Sequence, residues 1–191
     1  ETDAPYLSPM PFRGKPNEWG YTESVLVDGD RLYCQPGGAD GYVVCLDAAT
    51  GRALWADRTI ADQASCAAMT LAEIGGERQV VTMTTVYAVG LRAEDGKLLW
   101  RHRHANRWRE NCEIPQWSAG TLYLASGYGH GSEGLRLERL NRDAFTATLV
   151  WRCNQADALH GGPIILDGCV HRTGYDHRGV FCLGLAETSF P

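Results

Sequence analysis

One short passage recurs along this chain at a near-constant interval. Its first copy reads Val27-Asp28-Gly29-Asp30-Arg31-Leu32-Tyr33, crosses a glycine-rich turn, and closes as Val44-Cys45-Leu46-Asp47-Ala48-Ala49-Thr50-Gly51-Arg52-Ala53-Leu54-Trp55. The opening turn glycines Gly29, Gly76, Gly120 and Gly168 step by 47, 44 and 48 residues. The closing tryptophans Trp55, Trp100 and Trp151 step by 45 and 51. Chance places a few glycines at even spacing, but it does not repeat the order turn, strand, strand, turn, tryptophan. A fixed period of this size is the mark of a repeat architecture.

Each copy holds runs of four to six residues rich in Val, Leu, Tyr and Thr, separated by Asp-Gly or Gly-Gly. Such runs form antiparallel strands joined by hairpins. Four strands in roughly 40–50 residues make one propeller blade. A single blade cannot bury both of its faces, so it must stack on copies of itself. The expected fold is therefore all-β, a propeller of about four four-stranded blades in a single domain spanning 1–191. The blades are expected over residues 22–60, 65–105, 114–153 and 160–188. Trp55, Trp100 and Trp151, at the ends of outermost strands, are expected to press between neighbouring blades.

The last blade falls short. Ten residues separate Cys45 from Trp55, and the same step from Cys182 runs past Pro191. The segment Leu183–Pro191 also lacks the Thr-Gly turn, so the fourth blade is expected to lose its outermost strand. A partial propeller is one reading, with missing blades elsewhere. A four-bladed ring closed by residues 1–18 is another, and two chains completing one ring, as a homodimer, is a third. Open blade faces and strand edges would otherwise invite aggregation.

Composition narrows the function classes. Of 191 residues, 44% are apolar, enough for a core, and 22 glycines with 8 prolines favour tight turns over long helices. The 18 basic residues are outnumbered by 23 acidic ones and form no basic arm, which argues against nucleic acid. No apolar run approaches the ~18 residues of a transmembrane segment. The stretch ETDAPYLSPM has neither the basic start nor the apolar centre of an export signal. The seven cysteines stand singly, without C-x-x-C, and read as small buried hydrophobes. Cys34 and Cys45 flank a hairpin and are the pair best placed to face one another.

The motif V-D-G-x-x-L-Y … V-x-L-D-x-x-T-G-x-x-L-W resembles the PQQ-like β-propeller repeat. That superfamily holds quinoprotein dehydrogenases and non-enzymatic propellers of the BamB type. Trp19–Ser24, Pro36-Gly37-Gly38, Ala72–Gly76, Ser126–Gly129 and His160-Gly161-Gly162 resemble its uncharacterised secreted or periplasmic bacterial members. The likeness runs from about residue 19 to 185. It implies an exported, periplasmic or secreted protein. It also implies that ligands meet the loops at one end of the channel, here Gly20–Ser24, Glu110–Pro115 and Ala158–Gly162. Glu23, Asn111, Glu113 and His160 are their polar candidates for binding.

Quinoprotein enzymes hold PQQ over a tryptophan floor, often under a ring of two adjacent cysteines, and bind Ca²⁺ through Glu and Asn beside an Asp base. This chain has no adjacent cysteine pair, no C-x-x-C-H, and no stretch resembling those calcium and base motifs. The expectation is accordingly a non-catalytic binding or scaffold propeller that offers loops to a protein, peptide or glycan. No catalytic residue, metal or cofactor is expected. The alternative is a PQQ-dependent dehydrogenase, or part of one, oxidising alcohols or sugars with PQQ and Ca²⁺. Two further clusters are read as bland. His102-Arg103-His104, inside the basic stretch Trp100–Arg109, is taken as a solvated loop, with Trp108 as a stacking candidate. His160, His171 and His177 with Asp176 match no metal-binding spacing. Gly127-Tyr128-Gly129-His130-Gly131 is read as a hairpin connection, since no helix pattern follows it.

Overall fold

The structure is a computed structural model that describes residues 24–38, 41–159, 162–176 and 179–186. Fifteen strands and no helix occur among them, in four antiparallel sheets with each strand beside its sequence neighbour. The first sheet holds β1 (Leu26–Asp28), β2 (Arg31–Cys34), β3 (Val44–Asp47) and β4 (Ala53–Ala56). The second holds β5 (Thr70–Ile74), β6 (Glu77–Met83), β7 (Tyr87–Arg92) and β8 (Leu98–Arg103). The third holds β9 (Gln116–Ser118), β10 (Thr121–Ser126), β11 (Gly131–Asn141) and β12 (Ala144–Cys153). The fourth has three strands, β13 (Ile164–Leu166), β14 (Cys169–Thr173) and β15 (Val180–Gly184). No fourth strand follows among the described residues.

The repeating glycines have a common cause. Register leaves two-residue loops at Gly75-Gly76, Ala119-Gly120 and Asp167-Gly168, and both residues of each have positive φ. That is the turn whose twist matches a hairpin, and glycine takes its second position without a Cβ clash.

Three apolar clusters join the sheets face to face. Tyr33 and Cys45 of the first sheet meet Val80, Val89 and Leu91 of the second. Ile74, Val81 and Trp100 meet Leu122, Leu124, Leu135 and Phe145 of the third. Tyr123 and Trp151 meet Val170 and Leu183 of the fourth. Burial of such faces, at roughly 25 cal/mol per Å² of apolar surface, is the main force holding the sheets side by side. The far face of the fourth sheet is different: Ile164, Leu166 and Val180 are all exposed.

The tryptophans pack as expected, with one variation. Each lies across from a small or slim partner, Trp55 on Cys45, Trp100 on Gly90 and Trp151 on Gly134, and a β-bulge follows each pair. Trp55 Nε1 donates to Ala93 O of the second sheet at 3.1 Å. Trp151 Nε1 donates to Leu185 O beyond β15 at 2.8 Å. Trp100 instead donates to Gln79 Oε1 in its own sheet, 2.7 Å away, while its ring joins the cluster against the third.

Two expectations are corrected here. Leu98–Arg103 is a strand rather than a solvated loop, and His104 just beyond it is fully buried. Only Arg107, Trp108 and Arg109 of that basic stretch are exposed together, because the chain turns outward there. Cys34 and Cys45 do not face each other, since Cys45 pairs with Tyr33 and Cys34 with Val44. Successive side chains on a strand alternate in side, so the two cysteines enter different clusters. Cys34, Cys45 and Cys153 are buried and Cys182 is exposed.

Candidate functional site

Antiparallel order puts the β10–β11 hairpin and the links leaving β8 and β12 at one end of the sheets, together with the β14–β15 connection. Three buried polar residues give this end its shape. Asn106 Oδ1 accepts from the backbone N–H groups of Trp108 (2.9 Å) and Glu110 (3.1 Å), and its Nδ2 donates to Ser126 Oγ at 2.7 Å. Asn111 Nδ2 donates to Thr84 O and His104 O, both at 2.8 Å, and its Oδ1 accepts from Ser126 Oγ at 2.9 Å. Asp157 accepts from the backbone N–H groups of Gly129 (3.3 Å), Tyr175 (3.3 Å) and Asp176 (3.0 Å). Buried polar groups persist when satisfied in this way, and they rigidify the loops they tie.

What these loops present is a row of rings. Trp108 is 61% exposed and Tyr175 41% exposed, with Tyr128 half-buried between them. Tyr128 lies edge-on to Trp108 at 6.4 Å and to Tyr175 at 5.4 Å. Arg107 sits over the Trp108 ring at 5.5 Å. Tyr128 OH donates to Glu110 Oε2 at 2.6 Å, and that bond raises the phenol to about 12.

Beneath the row lies a charged cluster between the second and third sheets. His102 and His104 share one side of β8 and its extension, as residues two apart on a strand must. Both reach the buried carboxylate of Glu133 on β11, with His102 Nε2 at 3.0 Å and His104 Nδ1 at 2.8 Å from Oε2. Arg152, the cross-strand partner of Glu133, holds the other oxygen. Burial alone would raise the Glu133 carboxyl; the two imidazoles and the guanidinium outweigh it and hold it well below the usual range. His130, at the end of the hairpin, stands edge-on to His104 with ring centroids 4.6 Å apart. Burial, with repulsion from His104, lowers His130 to about 4. It is neutral at physiological pH.

The residues expected to bind take different positions. Asn111 and Glu113 are on the expected loop, but both are buried. Asn111 ties the loop down as described. Glu113 accepts two bonds from Arg172, at 3.1 and 3.2 Å, and Arg172 also donates to Tyr123 OH at 3.2 Å. Each fixes loops rather than meeting solvent. Glu23 and His160, with His177, lie outside the described residues. The Tyr128–Tyr175 contact and the Glu133 cluster escaped sequence reasoning because their members come from different repeats. Only Trp108 and the His102/His104 spacing signalled them.

The model of the family described as outer membrane protein assembly factor BamB matches residues 12–187 of this chain. Among solved structures, BamB from Moraxella catarrhalis is similar in fold, with a TM-score of 0.54 at 20% identity. The match covers 78% of this chain and 46% of that one. No curated protein matches. The likeness in three dimensions establishes the β-propeller fold of the four sheets.

Proposed function

This chain belongs to the BamB family of PQQ-like repeat proteins, and from that membership we propose that it is a non-catalytic, protein-binding propeller scaffold. The observation that carries the reading is the ring row Trp108–Tyr128–Tyr175 with Arg107, held out on loops whose buried anchors are satisfied. Trp, Tyr and Arg dominate the anchors of protein interfaces, and the two aromatic residues bury a large area at small entropic cost. Rigid loops lose little further freedom on binding. Family resemblance supports a periplasmic or exported setting near the outer membrane. No helix among the described residues is long and apolar enough to cross a membrane. The exposed far face of the fourth sheet suits contact with a further blade of a larger ring.

The test is site-specific photo-crosslinking in producing cells, with the reactive residue at position 107 and, as control, at exposed Arg142 on the opposite end. The expected result is one discrete protein adduct from position 107, lost on Trp108→Ala or Tyr175→Ala, and none from position 142. No adduct from position 107 would overturn the reading. So would saturable binding of PQQ with Ca²⁺ accompanied by dye-linked alcohol oxidation, which is the dehydrogenase alternative.

A further inference from the structure

Among the described residues, two ring nitrogens in the cluster between the second and third sheets have no hydrogen-bond partner. His104 Nε2 and His130 Nε2 are both buried and both unpartnered. His104 is wholly inaccessible, so water does not satisfy it from outside. Leaving a buried polar atom unpaired costs on the order of 1–3 kcal/mol, and such an atom in a native fold calls for an explanation. The proton placement sharpens the point. An ionised carboxylate only accepts, so the short contact between His104 Nδ1 and Glu133 requires the proton on Nδ1. His104 thus spends one ring nitrogen on Glu133 and has no partner for the other among the described residues.

We propose that His104, His130 and Glu133 form a binding site for a divalent late first-row transition ion, with zinc as the reference. Each residue offers one ligand atom, and these atoms lie within 4.8 Å of one another. An ion about 2.0–2.2 Å from each donor wants donor pairs about 3.4 Å apart, so the triangle must close by roughly an ångström. His130 is at the end of a hairpin and can supply that movement. Two imidazoles and one carboxylate suit zinc, cobalt or nickel, and are poor for Mg²⁺ or Ca²⁺, which demand more oxygens. His102 or a water completes the shell. Arg152 shares Glu133, and its side chain is 47% exposed, so it can swing into solvent when the ion takes the carboxylate. The ion would brace the second sheet against the third, because His104 extends β8 while Glu133 and His130 belong to the third sheet.

The whole chain, stripped with chelator, is titrated with Zn²⁺ by calorimetry and with Co²⁺ by visible absorption. Expected are one saturable site, tetrahedral cobalt bands without thiolate charge transfer, and a Zn²⁺-dependent rise in Tm. His130→Gln and His104→Gln should each weaken binding at least tenfold, while His171→Gln should leave it unchanged. His130→Gln is the safer variant, since its ring is less deeply placed. Imidazole NMR signals of the unmutated chain, which need no variant to fold, should shift for His104 and His130 on adding Zn²⁺. Absence of binding at millimolar Zn²⁺, thiolate charge transfer to cobalt, or unshifted His104 and His130 signals would each overturn the assignment.

Discussion

Arg172 and Glu113 oppose each other across the boundary between the third and fourth sheets, joined by two hydrogen bonds of 3.1 and 3.2 Å. Their side chains are 3% and 1% exposed. Burial opposes the arginine's charge, but Tyr123 and Glu113 more than restore it, and its pKa rises above the ordinary value. A buried pair of this kind contributes little relative to a well-packed apolar pair, yet breaking it is expensive because one charge is left uncompensated.

Glu113→Leu or Arg172→Met alone should therefore cost about 3–5 kcal/mol of unfolding free energy. The double variant Glu113→Leu with Arg172→Met should cost less than either single change. Denaturant unfolding of all three variants measures this. Costs that simply add would show that the two side chains act independently.

The glycines opposite Trp100 and Trp151 predict a steric coupling. A Cβ on Gly90 would stand 2.1 Å from Trp100 Nε1, and one on Gly134 would stand 2.3 Å from the Trp151 ring. Gly90→Ala should thus destabilise by about 1–3 kcal/mol through overpacking. In a Trp100→Leu background the added penalty should shrink to about 0.5 kcal/mol. A thermal or urea double-mutant cycle reads the difference directly.

Asp143, in the turn between β11 and β12, bridges Lys97 at 2.8 Å and Arg92 at 2.6 Å. Lys97 first, then Arg92, holds its carboxyl down at about 2. A carboxyl depressed on folding adds stability that is complete above its ordinary value and vanishes as pH falls through the folded one. The gap in urea midpoint between the unmodified chain and Asp143→Asn should be steady above pH 4 and close between pH 4 and 2. It should also narrow with added salt, because Asp143 and Lys97 are both about half exposed.

Cysteine reactivity should follow exposure and environment. Cys182 is exposed, whereas Cys112 is half-buried, and contact with Cys66, reinforced by burial, pushes its thiol far up. Only the thiolate attacks an alkylating agent. A short iodoacetamide pulse at pH 8 followed by peptide mass spectrometry should find Cys182 modified first. Cys112 should be among the last. Equal labelling of the two would contradict this placement.

The fold was legible in the chain because a repeat writes the same local rules several times. Gly76, Gly120 and Gly168 mark turns that only certain backbone angles allow, and Trp55, Trp100 and Trp151 mark where neighbouring sheets meet. The loops at one end were legible too, since Glu110–Pro115 lies between two repeats. Less legible was which way their side chains point. Asn111 and Glu113 look like ligand contacts in sequence, and folding turns both inward as anchors. Trp100 keeps its indole bond within its own sheet, although its motif matches that of Trp55.

The sequence alone determined the number and order of the sheets, their hairpin turns and their packing tryptophans, because these depend on residues a few positions apart. Tertiary structure alone decided that His104 meets Glu133 and His130, that Arg172 reaches Glu113, and that Trp108, Tyr128 and Tyr175 form one row. Those partners are 20 to 59 residues distant along the chain. Such contacts arise from how one sheet settles on the next, and periodicity within a sheet carries no information about that register.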